Sequence, residues 1–95
     1  MVNSNNTLAF KCFTQESNES CGSLGSVKCY LINSQTDKRY RVTVRETFNN
    51  SSSDFRDKIH IIEAGSRVLV GCNKTTTNGY NSIMVKYNVI GEIQI

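Results

Sequence analysis

Apolar and polar positions alternate with period two along most of this 95-residue chain. The 3.6-residue period of an amphipathic helix is hard to find, so the pattern predicts strands. Residues 7–14 (TLAFKCFT) place Leu8, Phe10 and Cys12 on one face, and residues 27–33 (VKCYLIN) do the same with Val27, Cys29 and Leu31. Residues 38–48 (KRYRVTVRETF) carry Tyr40, Val42, Val44 and Phe48 on one side, interrupted by Glu46, with Arg39, Arg41, Thr43, Arg45 and Thr47 on the other. In residues 55–62 (FRDKIHII), Phe55, Ile59 and Ile61 share a phase expected to face the core, which leaves Arg56 and Lys58 to solvent. RVLVGC at 67–72 sets Val68, Val70 and Cys72 on one face. Residues 80–95 keep Ile83, Val85, Tyr87 and Val89 in phase, followed by Ile93 and Ile95. Gly91 marks either a bulge within one long strand or a break between two.

Between these runs lie turn signals: NSQTD, EAGS with Gly65 as the positive-φ residue, and Asn78-Gly79. Three stretches read as longer polar loops, 15–26, 49–54 and 73–81, and these are the loops expected to carry a binding surface. Six or seven short strands at such spacing predict an all-β fold, a small two-sheet antiparallel β-sandwich with immunoglobulin-like topology as one arrangement and a small closed barrel as the alternative. Without tryptophan the Cys–Trp–Cys arrangement of immunoglobulin domains cannot be present, so that likeness stops at architecture. Residues 1–6 read as a flexible N-terminus and 7–95 as one domain.

Composition narrows the function. Hydrophobic residues make up 38% of the chain and charged residues 20%, too apolar for disorder. No apolar run approaches the roughly 20 residues needed to span a bilayer. The first ten residues have neither the basic nor the apolar region of a signal peptide. The net charge of +3 is mild and spread from Lys11 to Lys86, unlike the clustered excess of nucleic-acid binders. Tyr40, Phe48 and Phe55 fall on apolar faces, which leaves few rings for base stacking.

Chemistry is sparse. His60 is the one imidazole and is expected to face solvent between Ile59 and Ile61. No nucleophile elbow, phosphate-binding loop or zinc-protease motif occurs, so no catalytic residue, cofactor or metal is assigned. The carboxylates form no calcium loop, and Glu46 is expected near a sheet end rather than beside a basic partner. Cys12, Cys21, Cys29 and Cys72 are separated by eight, seven and 42 residues, with no zinc knuckle. An even set in a short chain predicts disulfides and an oxidising compartment. Cys29 and Cys72 both point inward from different strands, and Cys12 leads straight into the loop ending at Cys21. The expected pairs are therefore Cys29–Cys72 and Cys12–Cys21. Asn-X-Ser/Thr triplets begin at Asn5, Asn18, Asn49, Asn50 and Asn73, all in expected loops or termini.

The candidate binding residues are the arginine row Arg39, Arg41 and Arg45, extended by Arg56 and Lys58 if cross-strand neighbours continue it. Such a face suits an acidic protein or glycan. The plainer reading is that Arg and Thr keep one strand face wet and resist edge pairing. The expected function is a non-catalytic, secreted or cell-surface binding module for a protein or glycan, cytoplasmic if the thiols are free. The alternative is a small microbial or viral inhibitor of a larger protein.

Overall fold

The computed structural model describes residues 10–22, 25–77 and 81–95. The expected flexible residues 1–6, the start of the first expected strand and the Asn78-Gly79 turn lie outside them. Seven strands follow in order: β1 (Cys12–Ser20), β2 (Val27–Asn33), β3 (Tyr40–Phe48), β4 (Phe55–Ile62), β5 (Arg67–Cys72), β6 (Lys74–Thr77) and β7 (Asn81–Gln94). They form two antiparallel sheets, β1-β2-β5 and β4-β3-β7-β6. The fold is a small all-β sandwich. In the larger sheet β7 lies between β3 and β6, whereas the immunoglobulin order sets the sixth strand between the third and seventh. Among the described residues no helix is long and apolar enough to cross a membrane.

The core is small. Cys12, Leu31, Tyr40, Val42, Val44 and Ile62 are buried between the sheets, with Val68, Val70, Tyr87 and Val89 packed against them. Polar side chains complete it. Asn33 is almost wholly buried and donates its amide to the Lys38 and Glu63 carbonyls, while its Oδ1 accepts from the Gln35 N–H. One side chain thereby holds the β2–β3 and β4–β5 turns, with its hydrogen-bonding capacity used.

The expected loop at 15–26 is largely strand, since β1 runs to Ser20 and pairs with β2 through a register shift between Glu16 and Ser20. The expected loop at 73–81 begins with β6, which pairs with β7. β5 and β6 are nearly one strand that changes sheets at Asn73. There the backbone N–H bonds to Val27 of β2, and the C=O accepts from Val85 of β7. The Asn73 Oδ1 accepts from the Val27 N–H and the Ser26 hydroxyl, and its Nδ2 donates to Glu16. That amide is half-buried and engaged on both its oxygen and its nitrogen. Asn18, Asn49 and Asn50 are exposed, although Asn18 sits on β1 and not on a loop.

Two bulges redirect the chain. In β5, Cys29 pairs with Gly71 and Tyr30 with Leu69, so Val70 is the extra residue. Cys72 is thereby set opposite Lys28, on the face alternate to the inward Cys29. This overturns the expected Cys29–Cys72 and Cys12–Cys21 pairs. The disulfide is Cys21–Cys72, and it ties the ends of β1 and β5 across the start of β2. Cys12 and Cys29 are buried free thiols. Burial, aided by Glu92, pushes Cys12 up to about 12, and burial near Glu16 pushes Cys29 up to about 11, so both stay protonated at neutral pH. At the bulge Gly71 has φ of 152°, and the Tyr87 hydroxyl occupies the space a Cβ would need while donating to the Cys72 carbonyl at 2.8 Å. In β7 the register shifts between Thr43 and Val44 of its partner, which settles Gly91 as part of a bulge inside one long strand. Beyond it Glu92 turns inward and accepts from the Lys11 and Cys12 N–H groups, fastening β1 to β7.

Peptide mapping under non-reducing conditions should recover Cys21 linked to Cys72 and two thiols that react only after unfolding. A Cys29–Cys72 peptide would contradict the register. Because the bond closes a 51-residue separation, reduction should cost about 4 kcal/mol on the chain-entropy model, read as a fall in the denaturation midpoint. Tyr87→Phe should cost about 1 kcal/mol and Gly71→Ala about 1–3 kcal/mol. The two should couple, since removing the hydroxyl relieves the clash with the new methyl. Additive costs in a double-mutant cycle would break that link.

Candidate functional site

The β3–β4 hairpin decides which side chains form a surface. Its connection, residues 49–54, opens with a turn in which Asn49 and Asn50 both adopt left-handed backbone (φ 52° and 58°) and the Ser51 N–H bonds the Phe48 carbonyl, and it closes with the Phe48 N–H on the Asp54 carbonyl. The resulting register sets Arg45 opposite Asp57 and Glu46 opposite Arg56. Arg45 grips Asp57 with two hydrogen bonds of 2.8 and 3.0 Å and lies over the Phe55 ring at 3.9 Å. That guanidinium holds the Asp57 carboxyl below its usual range.

This register inverts the expected phase of β4. Arg56, Lys58 and His60 share the inner face with Val42, Val44 and Glu46, while Phe55, Ile59 and Ile61 lie on the outer face. Ile59 is 66% exposed. A one-residue slip would restore the apolar phase, but it would place Arg45 opposite Arg56 or Lys58. Like charges directly opposite are destabilising, and the hairpin obeys the charges. The β7 bulge does the same to Ile93 and Ile95, which also face outward instead of joining the core.

The outer face of the larger sheet can be read row by row. Ile61, Arg41 and Ile93 form one row, and Ile59, Thr43 and Gly91 the next. Asp57, Arg45 and Asn88 follow, then Phe55, Thr47 and Lys86. An exposed Arg41 therefore sits among Ile59, Ile61 and Ile93, and among the described residues it makes no ion pair.

The five candidate basic residues are thus divided. Arg39, Arg41 and Arg45 belong to the outer side, but Arg39 pairs with Glu63 at 3.2 Å and Arg45 with Asp57. Arg56 and Lys58 belong to the inner face, where both bind Glu46, at 3.4 and 3.3 Å. Glu46 is 5% exposed and stands two residues before the end of β3, near a strand end as expected, but it is also paired with basic neighbours, which was not expected. It lines a cleft of about 260 Å³ between the sheets with Phe48, Arg56, Lys58, Val70 and Tyr87. His60 is half-buried on the same inner face, contrary to the solvent-facing expectation. Burial and Lys58 lower its pKa against a smaller opposing effect of Glu46. On the opposite sheet, Arg67 stacks on Tyr30 at 4.0 Å and reaches Glu19, so its charge is matched locally. Sequence reasoning missed the isoleucine surface because every member reads as core. The available signal was the charge order of residues 45–46 and 56–58.

Among the described residues no group of three or more His, Cys, Asp or Glu is placed to hold a metal ion.

Glu46→Gln should destabilise the domain by about 1–3 kcal/mol, because two cations on the inner face lose their one carboxylate. Lys58→Met should cost under about 1 kcal/mol, since Arg56 remains and the lysine is half exposed. Denaturation midpoints decide it, and equal costs would mean that Glu46 contributes no more than a surface charge.

No protein-family model, curated protein or solved structure matches this chain.

Proposed function

We propose that this chain is a non-catalytic binding module, secreted or displayed at a cell surface, that recognises a protein through the outer face of its larger sheet. One observation carries the reading: Ile59, Ile61 and Ile93 stand exposed around an arginine that has no ionic partner among the described residues. Contiguous exposed apolar side chains mark interaction surfaces. The rigid sheet presents them at little ordering cost, which favours affinity.

The chemistry of the partner follows from Arg41. In an interface a buried guanidinium must be paired, and Arg forks suit a carboxylate. The complement is an apolar protein surface with a central Asp or Glu. A protein suits this face better than a glycan, because the exposed side chains at its centre are branched aliphatics. The Cys21–Cys72 bond is compatible with an oxidising compartment. Of the three expected binding loops only 49–54 remains a loop throughout, and its turn is closed by its own hydrogen bonds.

Immobilised protein should capture a partner from extracellular or surface extracts, and Arg41→Glu should release it, as should the pair Ile59→Asp with Ile93→Asp. Leu69→Asp, on the outer face of the other sheet, should leave capture intact. Each variant's melting temperature reports its folding. Capture unchanged by the first two variants, or lost only with Leu69→Asp, would move the interface off this face.

A further inference from the structure

We propose that β4 receives an extended segment of another protein as an added antiparallel or parallel strand, and that this segment alternates acidic and apolar side chains. The inference rests on the protein-binding reading and names how the partner engages. β4 is one of the two edge strands of its sheet and, among the described residues, pairs with β3 alone. Seven of its eight residues are exposed or half-exposed. No backbone hydrogen bond from residues 55–62 reaches any other segment among the described residues. An edge of this kind is a template for strand addition.

The two rows of side chains on that edge specify the incoming strand. The outer row is Phe55, Asp57, Ile59 and Ile61, and its one acid is already held by Arg45. A neighbouring strand meets it best with branched apolar residues. The inner row is Arg56, Lys58 and His60. Here two cations share the single carboxylate of Glu46, leaving one positive charge in excess at the mouth of the inter-sheet cleft. Alternate residues of an added strand fall on that side, and Asp or Glu there would balance the row. The cleft provides room for them.

The same charges reject a second copy of this chain. Pairing two β4 strands about a twofold axis keeps inner faces together, so Lys58 would meet Lys58, His60 or Arg56 of the other copy. Inward cations on an edge strand are a known guard against self-association.

The probe is a blocked eight-residue peptide of alternating valine and glutamate, added to the whole, oxidised domain. It should bind saturably and slow amide exchange at 55–62. A valine–lysine peptide should bind at least about tenfold more weakly. Arg56→Glu with Lys58→Glu should reverse that preference. The valine–glutamate peptide with alternate backbone nitrogens methylated keeps its charge but loses strand donors, and it should not bind. Ile93→Asp, two strands from the edge, should leave peptide binding unchanged while it weakens the face-bound partner. No protection at 55–62, or equal binding of the methylated peptide, overturns strand addition and leaves the face reading intact. Protection of 55–62 in concentrated protein without peptide, with a doubled mass in solution, overturns the choice of a foreign strand.

Discussion

The register of the β3–β4 hairpin governs the rest of this molecule. Two directly opposed pairs define it, Arg45 with Asp57 and Glu46 with Arg56. The Arg45–Asp57 pair is partly exposed and worth about 0–1 kcal/mol alone, whereas Glu46 is buried and depends on its cations. Their weight comes from the alternative. A slip by one residue would bury Phe55, Ile59 and Ile61, an apparent hydrophobic gain, but would oppose like charges along the strand and leave Glu46 buried without a cation. Charge and turn geometry at Asn49 and Asn50 agree with each other, and hydrophobicity yields. The inner face of β4 becomes cationic and the outer face apolar, an inversion of ordinary patterning in a strand that has only one neighbour.

A core this small depends on directed polar contacts. Glu92 binds the start of β1, Asn33 joins two turns, Asn73 carries one strand from sheet to sheet, and Tyr87 spans the gap to the Cys72 carbonyl. Each fastens the two sheets, or two turns, where apolar area is short. Two of them exist because a bulge is present: Glu92 turns inward after the β7 bulge, and the Tyr87 hydroxyl fits only because residue 71 lacks a Cβ. The Cys21–Cys72 bond adds covalent closure at the end where β1 and β5 flank β2.

Much of the architecture was legible from alternation. The runs at 27–33, 55–62 and 67–72 are strands, the run at 38–48 is one from Tyr40 onward, and Tyr40, Val42, Val44, Leu31 and Cys12 do face inward. What failed was phase, at two places because of a bulge and at a third because of charge. Period-two reading assumes an unbroken ladder, and a bulge shifts it by one residue. Cys72 was assigned inward from Val68 and Val70, and Ile93 from Val89; each lies just past a bulge. The β4 phase had no bulge to blame. There the apolar rule conflicted with the charge rule, and only the partner strand shows which prevails. The arginine row was seen as a strip, but the acids opposite most of it were invisible without pairing, so its neutralisation could not be read.

The inversion at β4 also gives an isoleucine-bearing edge a guard against pairing with its own copies. A flat apolar edge strand ordinarily recruits its own copies. Here Arg56 and Lys58 are cationic and point under the sheet, where an identical strand would bring the same charge. Only a strand of opposite charge relieves the excess left by Glu46. On the proposed reading, Arg56 and Lys58 both oppose self-pairing and select the incoming strand, and the outward isoleucines remain available for a partner whose charges fit.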